Sequence, residues 1–95
     1  MLKPRVLVCG VEGVGHQALW LVKSYGATVF ACDDNPAAQE LARNIGVERA
    51  LSLDELKRSA QQEQFRVDMV FDFLGSEKCE FHSVYGQFAL VLTAT

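Results

Sequence analysis

The chain has 95 residues, 49% of them apolar and 22% charged, with a formal net charge of -3 and a pI near 5.2. A chain of this size has room for one core, burying about 60–70% of its unfolded surface, and its mild acidity gives no electrostatic footprint for nucleic acid. No apolar stretch reaches the roughly 18 residues of a membrane span, and Gly10 and Glu12 break the first apolar run where a signal-peptide core would continue. Those patterns predict a cytoplasmic protein with neither a membrane nor a nucleic-acid partner.

Strand-like and helix-like runs alternate along the whole chain, with no repeats or low-complexity linkers. Such alternation predicts one α/β domain over residues 1–95, built on a parallel sheet. The first strand is expected at Arg5–Cys9. A helix over about Val14–Tyr25 follows, with Val14, Ala18, Leu19 and Val22 at helical spacing and Gly26 as its stop. A second strand is expected at Thr28–Cys32. Asn35 then caps a helix with Pro36 at its first position, where a missing N–H is harmless, and Ala38, Leu41, Ala42 and Ile45 form its stripe before Gly46.

A short strand at Arg49–Leu51 leads to Ser52-Leu53-Asp54-Glu55, a capping box that opens a helix to about Gln62. Strand four is read at Val67–Phe73 and strand five at Phe88–Leu92. Right-handed crossovers then give the order 3-2-1-4-5, a doubly wound sheet whose ligand crevice lies between strands one and four. Only ten residues, Ser76 to Tyr85, separate Gly75 from Gly86, which predicts an abbreviated fourth crossover. With no sixth strand before Thr95, the chain reads as truncated at that sheet edge, which a second copy or a further domain would cover.

The densest chemical signal is the turn Gly10-Val11-Glu12-Gly13-Val14-Gly15, entered from an apolar strand and followed, 18 residues after Gly15, by Asp33 at the end of the next strand. Glycines there give a tight turn and let backbone N–H groups at a helix start face a pyrophosphate, while the acid accepts hydrogen bonds from ribose hydroxyls. Asp33 and Asp34 together disfavour a 2′-phosphate, since like charges about 4 Å apart repel by roughly 4 kcal/mol at an effective dielectric near 20. NAD is therefore expected over NADP.

Glu12 breaks the Gly-x-Gly-x-x-Gly pattern, standing where its middle glycine belongs. A carboxylate aimed at the phosphates would repel each close oxygen by roughly 4 kcal/mol, more than the roughly 0.3–2 kcal/mol a helix N-terminus offers an anion. If the side chain turns outward, Gly13 takes over the close approach. Sequence leaves both geometries open.

Four segments, Gly10–Gly15, Leu21–Val29, Leu41–Val47 and Val67–Gly75, resemble in order and spacing the cofactor domain of medium-chain, zinc-type alcohol dehydrogenase-like dehydrogenases and quinone reductases. The resemblance implies a Rossmann-like fold that binds NAD(H) for hydride transfer, with contacts at Gly10, Val11, Glu12, Gly13, Val14, Gly15, Asp33 and Asp34, and at Leu74 and Gly75 closing strand four. It also implies a separate catalytic domain, which the chain does not contain, so the chain is expected to be catalytically incomplete, with no catalytic or metal-ligating residue of its own. The alternative is a non-catalytic or degenerate dinucleotide-fold module, a nucleotide sensor or truncated fragment.

The remaining candidates have plainer readings. Cys9, Cys32 and Cys79 are an odd number without metal-ligand spacing; the first two read as buried thiols ending strands, a regulatory disulfide being the lesser alternative. His16 and His82 read as surface or packing residues, and Trp20 as a helix or domain contact. Asp68 and Asp72 lie roughly 13 Å apart along a strand, too far to share one ion.

Overall fold

The computed structural model describes residues 3–61, 65–74 and 90–93. Five strands, β1 (Arg5–Cys9), β2 (Thr28–Cys32), β3 (Arg49–Leu51), β4 (Met69–Asp72) and β5 (Leu90–Thr93), form one sheet in the order β3-β2-β1-β4-β5. Every neighbouring pair is parallel, with Cys9 opposite both Cys32 and Asp72. The expected order therefore holds, and the first three strands have the expected bounds. Strand four starts later than expected because Asp68 turns aside: its Oδ2 accepts the Arg5 backbone N–H at 2.8 Å, and its other oxygen pairs with Arg66.

Three helices pack on this sheet: α1 (Val14–Ser24), α2 (Pro36–Ile45) and α3 (Leu53–Ala60). Strand alternation sends Val6, Val8, Val29 and Ala31 to one face, where Leu19 of α1 and Ala38, Ala42 and Ile45 of α2 cover them. Leu7, Cys9, Phe30, Cys32 and Leu51 point to the other face, against Leu56 of α3, Val67 and Val70. Both faces being covered explains why β1 and β2 read as continuous apolar runs instead of alternating ones. Cys9 and Cys32 are fully buried here as packing thiols.

Helix ends follow their sequence signals. Asn35 Oδ1 accepts the Ala37 N–H at 2.9 Å, Pro36 occupies the first turn, and Gly46 ends α2 in the left-handed region with φ 99°. Lys23 of α1 adds a tertiary cap, its Nζ donating to the Ile45 carbonyl at 2.6 Å. Ser52 and Glu55 form the expected box, Ser52 Oγ accepting the Glu55 N–H and Glu55 Oε1 accepting the Ser52 N–H. Val14 and Leu41 depart from the expected core stripes. Val14 is 64% exposed because it is the first residue of its helix, ahead of the sheet's end, and Leu41 lies at the margin of its stripe. Trp20 is 52% exposed, so the described residues supply no packing partner that buries it.

The expected short crossover, Gly75, Cys79 and His82 lie outside the described residues. Among those described, no helix is long and apolar enough to cross a membrane, and no group of three or more potential ligands is placed to hold a metal ion.

Candidate functional site

The switch point of the sheet falls between β1 and β4, and the chain leaving β1 there is the glycine turn. Gly10 adopts φ 87° and Gly13 φ 70°, both in the region that favours glycine. Gly15 has a different task. A Cβ on it would overlap the carbonyl oxygen of Gly10, so only a bare α-carbon lets α1 start against the end of β1. Around Gly13, by contrast, an added Cβ meets nothing within 4 Å: the turn faces open space at the start of α1. No side chain caps that helix and its first turn carries no acid. Its leading N–H groups and the positive end of its dipole are thus directed at the opening, as an anion site requires.

Asp33 organises the second edge of the cleft. Its Oδ2 accepts the Val11 N–H and its Oδ1 accepts the Asn35 N–H, both at 2.9 Å. Each carboxylate oxygen keeps a further lone pair, so these bonds position the group without exhausting its acceptor capacity. Gly10, Glu12, Asp33, Asn35, Phe73 and Leu74 line a cleft of about 250 Å³. Phe73 continues from β4, its ring stacked on that of Phe71 at 6.5 Å between centroids. The Leu74 N–H is held by Asp72 Oδ1 at 2.9 Å, which fixes the turn leaving the strand.

Glu12, whose direction the sequence left open, is engaged with Asn35: Nδ2 of the amide donates to Glu12 Oε1 at 2.7 Å. The same Asn35 caps α2 through Oδ1, so both ends of its amide are committed and the carboxylate is held toward the second turn. Glu12 therefore leans to the Asp33 side of the cleft, away from the exposed start of α1 at Gly13 and Val14, behind which Gly15 is buried.

Of the residues singled out from sequence, Gly10, Glu12, Asp33 and Leu74 meet around the cleft; Gly13, Val14 and Gly15 form its helix start, and Val11 is buried beneath it with its N–H on Asp33. Asp34 has another partner. Its Oδ1 accepts the Leu53 N–H at 2.9 Å, so it anchors the start of α3 and does not line the cleft. Asn35 and Phe73 are lining residues that sequence reasoning placed only in a cap and a strand. The Asp33-x-Asn35 spacing is itself a turn signal that points Asn35 back toward the carboxylate.

A parallel sheet of this order with a glycine turn at its switch point defines a doubly wound, Rossmann-like architecture. No family model matches the chain. Its structure is similar to that of the alcohol dehydrogenase of Aeropyrum pernix, with a TM-score of 0.80 and 28% identity over 98% of this chain and 29% of that one. The quinone oxidoreductase of Thermus thermophilus, solved also with NADPH, shares the fold at a TM-score of 0.79 and 20% identity over 98% of this chain and 38% of that one. Zinc-type alcohol dehydrogenases and quinone oxidoreductases are thus the chain's structural neighbours, as the resemblance to medium-chain dehydrogenases and reductases implied. In sequence, it is 43% identical over 58 residues to L-histidine 2-aminobutanoyltransferase of Yersinia pestis, covering 56% of this chain and 22% of that protein. The chain spans between about a fifth and two fifths of the length of these proteins.

Proposed function

We propose that the chain is the nucleotide-binding portion of an alcohol dehydrogenase-like oxidoreductase and holds NAD(H) for hydride transfer chemistry. The observation that carries this reading is the pairing of an uncapped α1 start, fronted by open space at Gly13, with the Asp33 carboxylate, which lines the cleft beside the same glycine turn. The first suits a pyrophosphate and the second a ribose diol, which are the two separated recognition points of a dinucleotide.

In this reading the backbone of Gly13, Val14 and Gly15 holds the phosphates, Asp33 holds the adenosine ribose, and Leu74 borders the nicotinamide side. The bound dinucleotide would supply the hydride. Catalytic and substrate-binding groups would come from a second domain, as the resemblance to medium-chain dehydrogenases and reductases implies. NAD is preferred to NADP because Asp33, joined by Glu12 rather than by Asp34, leaves two carboxylates where a 2′-phosphate would sit. Buried, reduced Cys9 and Cys32 suit a reducing compartment such as the cytoplasm.

Calorimetric titration of NADH and NADPH into the chain and into Asp33→Ala tests the proposal. Saturable NADH binding that is weakened about tenfold or more by Asp33→Ala, with NADPH weaker, is expected; absence of binding to either dinucleotide would falsify it.

A second reading, a non-catalytic nucleotide-binding module, is favoured by one observation: a carboxylate lines the cleft where a glycine is usual. The likeness to a protein named as a transferase is also compatible with it. Saturable binding of adenosine, with NADH no tighter, would select this reading, because a pyrophosphate would then be gaining nothing from the helix start.

A further inference from the structure

On the α3 face of the sheet, Arg49, Glu55, Arg58 and Ser59 line a separate cavity of about 240 Å³ that shares no residue with the cleft at the glycine turn. Arg49 opens β3, while Glu55, Arg58 and Ser59 stand three and four positions apart along α3 and so share one side of that helix. Neither arginine makes an ion pair among the described residues, where the salt bridges are Arg43 with Glu40 and Arg66 with Asp68. Glu55 lines the same cavity, and its carboxylate, which accepts the Ser52 N–H through Oε1, offsets one of the two positive charges.

Ser59 supplies the independent observation. Its residue is only 6% exposed, yet its hydroxyl makes no hydrogen bond within the described residues, although it borders the cavity. A buried hydroxyl without a partner is unfavourable, and one bordering a cavity that two arginines also line calls for an acceptor there. The cavity's volume is close to that of the cleft at the glycine turn, so its donors rather than its size suit a tetrahedral oxyanion. Guanidinium forks match phosphate oxygens two at a time, and a serine hydroxyl completes a three-sided donor set.

We infer that Arg49, Arg58 and Ser59 form a second anion site, taking the phosphate group of a small phosphorylated molecule independently of any nucleotide in the cleft. Inorganic phosphate is the probe, titrated at constant ionic strength against chloride while amide shifts are followed by two-dimensional NMR. The expected result is saturable movement of the Arg49, Arg58 and Ser59 amides, with affinity weakened about tenfold or more in Arg49→Gln/Arg58→Gln. Ser59→Ala removes the buried hydroxyl without loss of melting temperature and is expected to weaken phosphate severalfold, which separates a role in binding from one in folding. Movement that does not saturate, is confined to the Gly10–Gly15 amides, or persists unchanged in the arginine variants overturns the inference.

Discussion

Glu12 and Asn35 are joined side chain to side chain, Nδ2 to Oε1 at 2.7 Å, across 23 positions of sequence. This bond ties the first glycine turn to the start of α2 and determines where the negative charge of Glu12 lies. Asn35→Ser keeps an N-cap hydroxyl but loses the amide donor, so stability should change by no more than about 0.5 kcal/mol. Release of Glu12 toward the phosphates should nonetheless weaken NADH about tenfold or more, and Asn35→Ser/Glu12→Gly should restore it. Calorimetry on the two variants, with melting curves alongside, checks both halves.

The glycines of the turn are predicted to differ in what they tolerate. Gly15→Ala places a methyl group on the Gly10 carbonyl oxygen, and backbone must move to accept it. A loss of at least about 2–3 kcal/mol, or a Tm lower by more than about 10 °C, is expected. Gly13→Ala meets no atom and bears only the backbone strain of φ 70° with ψ -119°, about 1–3 kcal/mol. Thermal unfolding of both variants should rank them in that order.

Acid stability should carry a component from Glu55. The Ser52 backbone N–H holds its carboxyl below the ordinary value of 4.5, helped by the Ser52 hydroxyl side of the capping box and by the charges of Arg58 and Arg49. Because the folded value is depressed, the stabilisation is complete well above 4.5 and is lost as pH falls through the lower folded value. Glu55→Gln retains an acceptor for the Ser52 N–H but does not titrate there. Its Tm should therefore fall less steeply than that of the parent chain below about pH 4.5, a difference visible in melting curves collected across that range.

Cys9 and Cys32 should resist alkylation in the folded state, since neither has any exposed surface. Mass spectrometry after a timed iodoacetamide pulse should show their labelling rising only along the denaturant unfolding curve. Rapid labelling of either in native buffer would contradict the packing at the paired ends of β1 and β2.

Periodicity and capping chemistry made most of this fold legible. The strand bounds at Arg5–Cys9, Thr28–Cys32 and Arg49–Leu51 and the cap at Asn35 are written in local sequence, because apolar runs, Pro36 and Gly46 act over a few residues. What escaped depends on partners distant in the chain. Asp34 reads as a companion to Asp33 until the fold brings the Leu53 N–H to it from 19 residues away. Glu12 is ambiguous alone, and Asn35 resolves it from across the cleft. The shortening of β4 likewise arises where Asp68 meets Arg5, 63 positions apart.

Asp33 also has a consequence for timing. Its carboxylate closes the turn to Asn35 within the second loop and reaches 22 positions back to the Val11 amide of the first, so the two loops part only when the Val11 bond breaks. The Val11 proton should exchange with solvent at the rate of that parting, and slow when the cleft is filled. A single carboxylate thus turns two loops into one gate whose opening can be clocked.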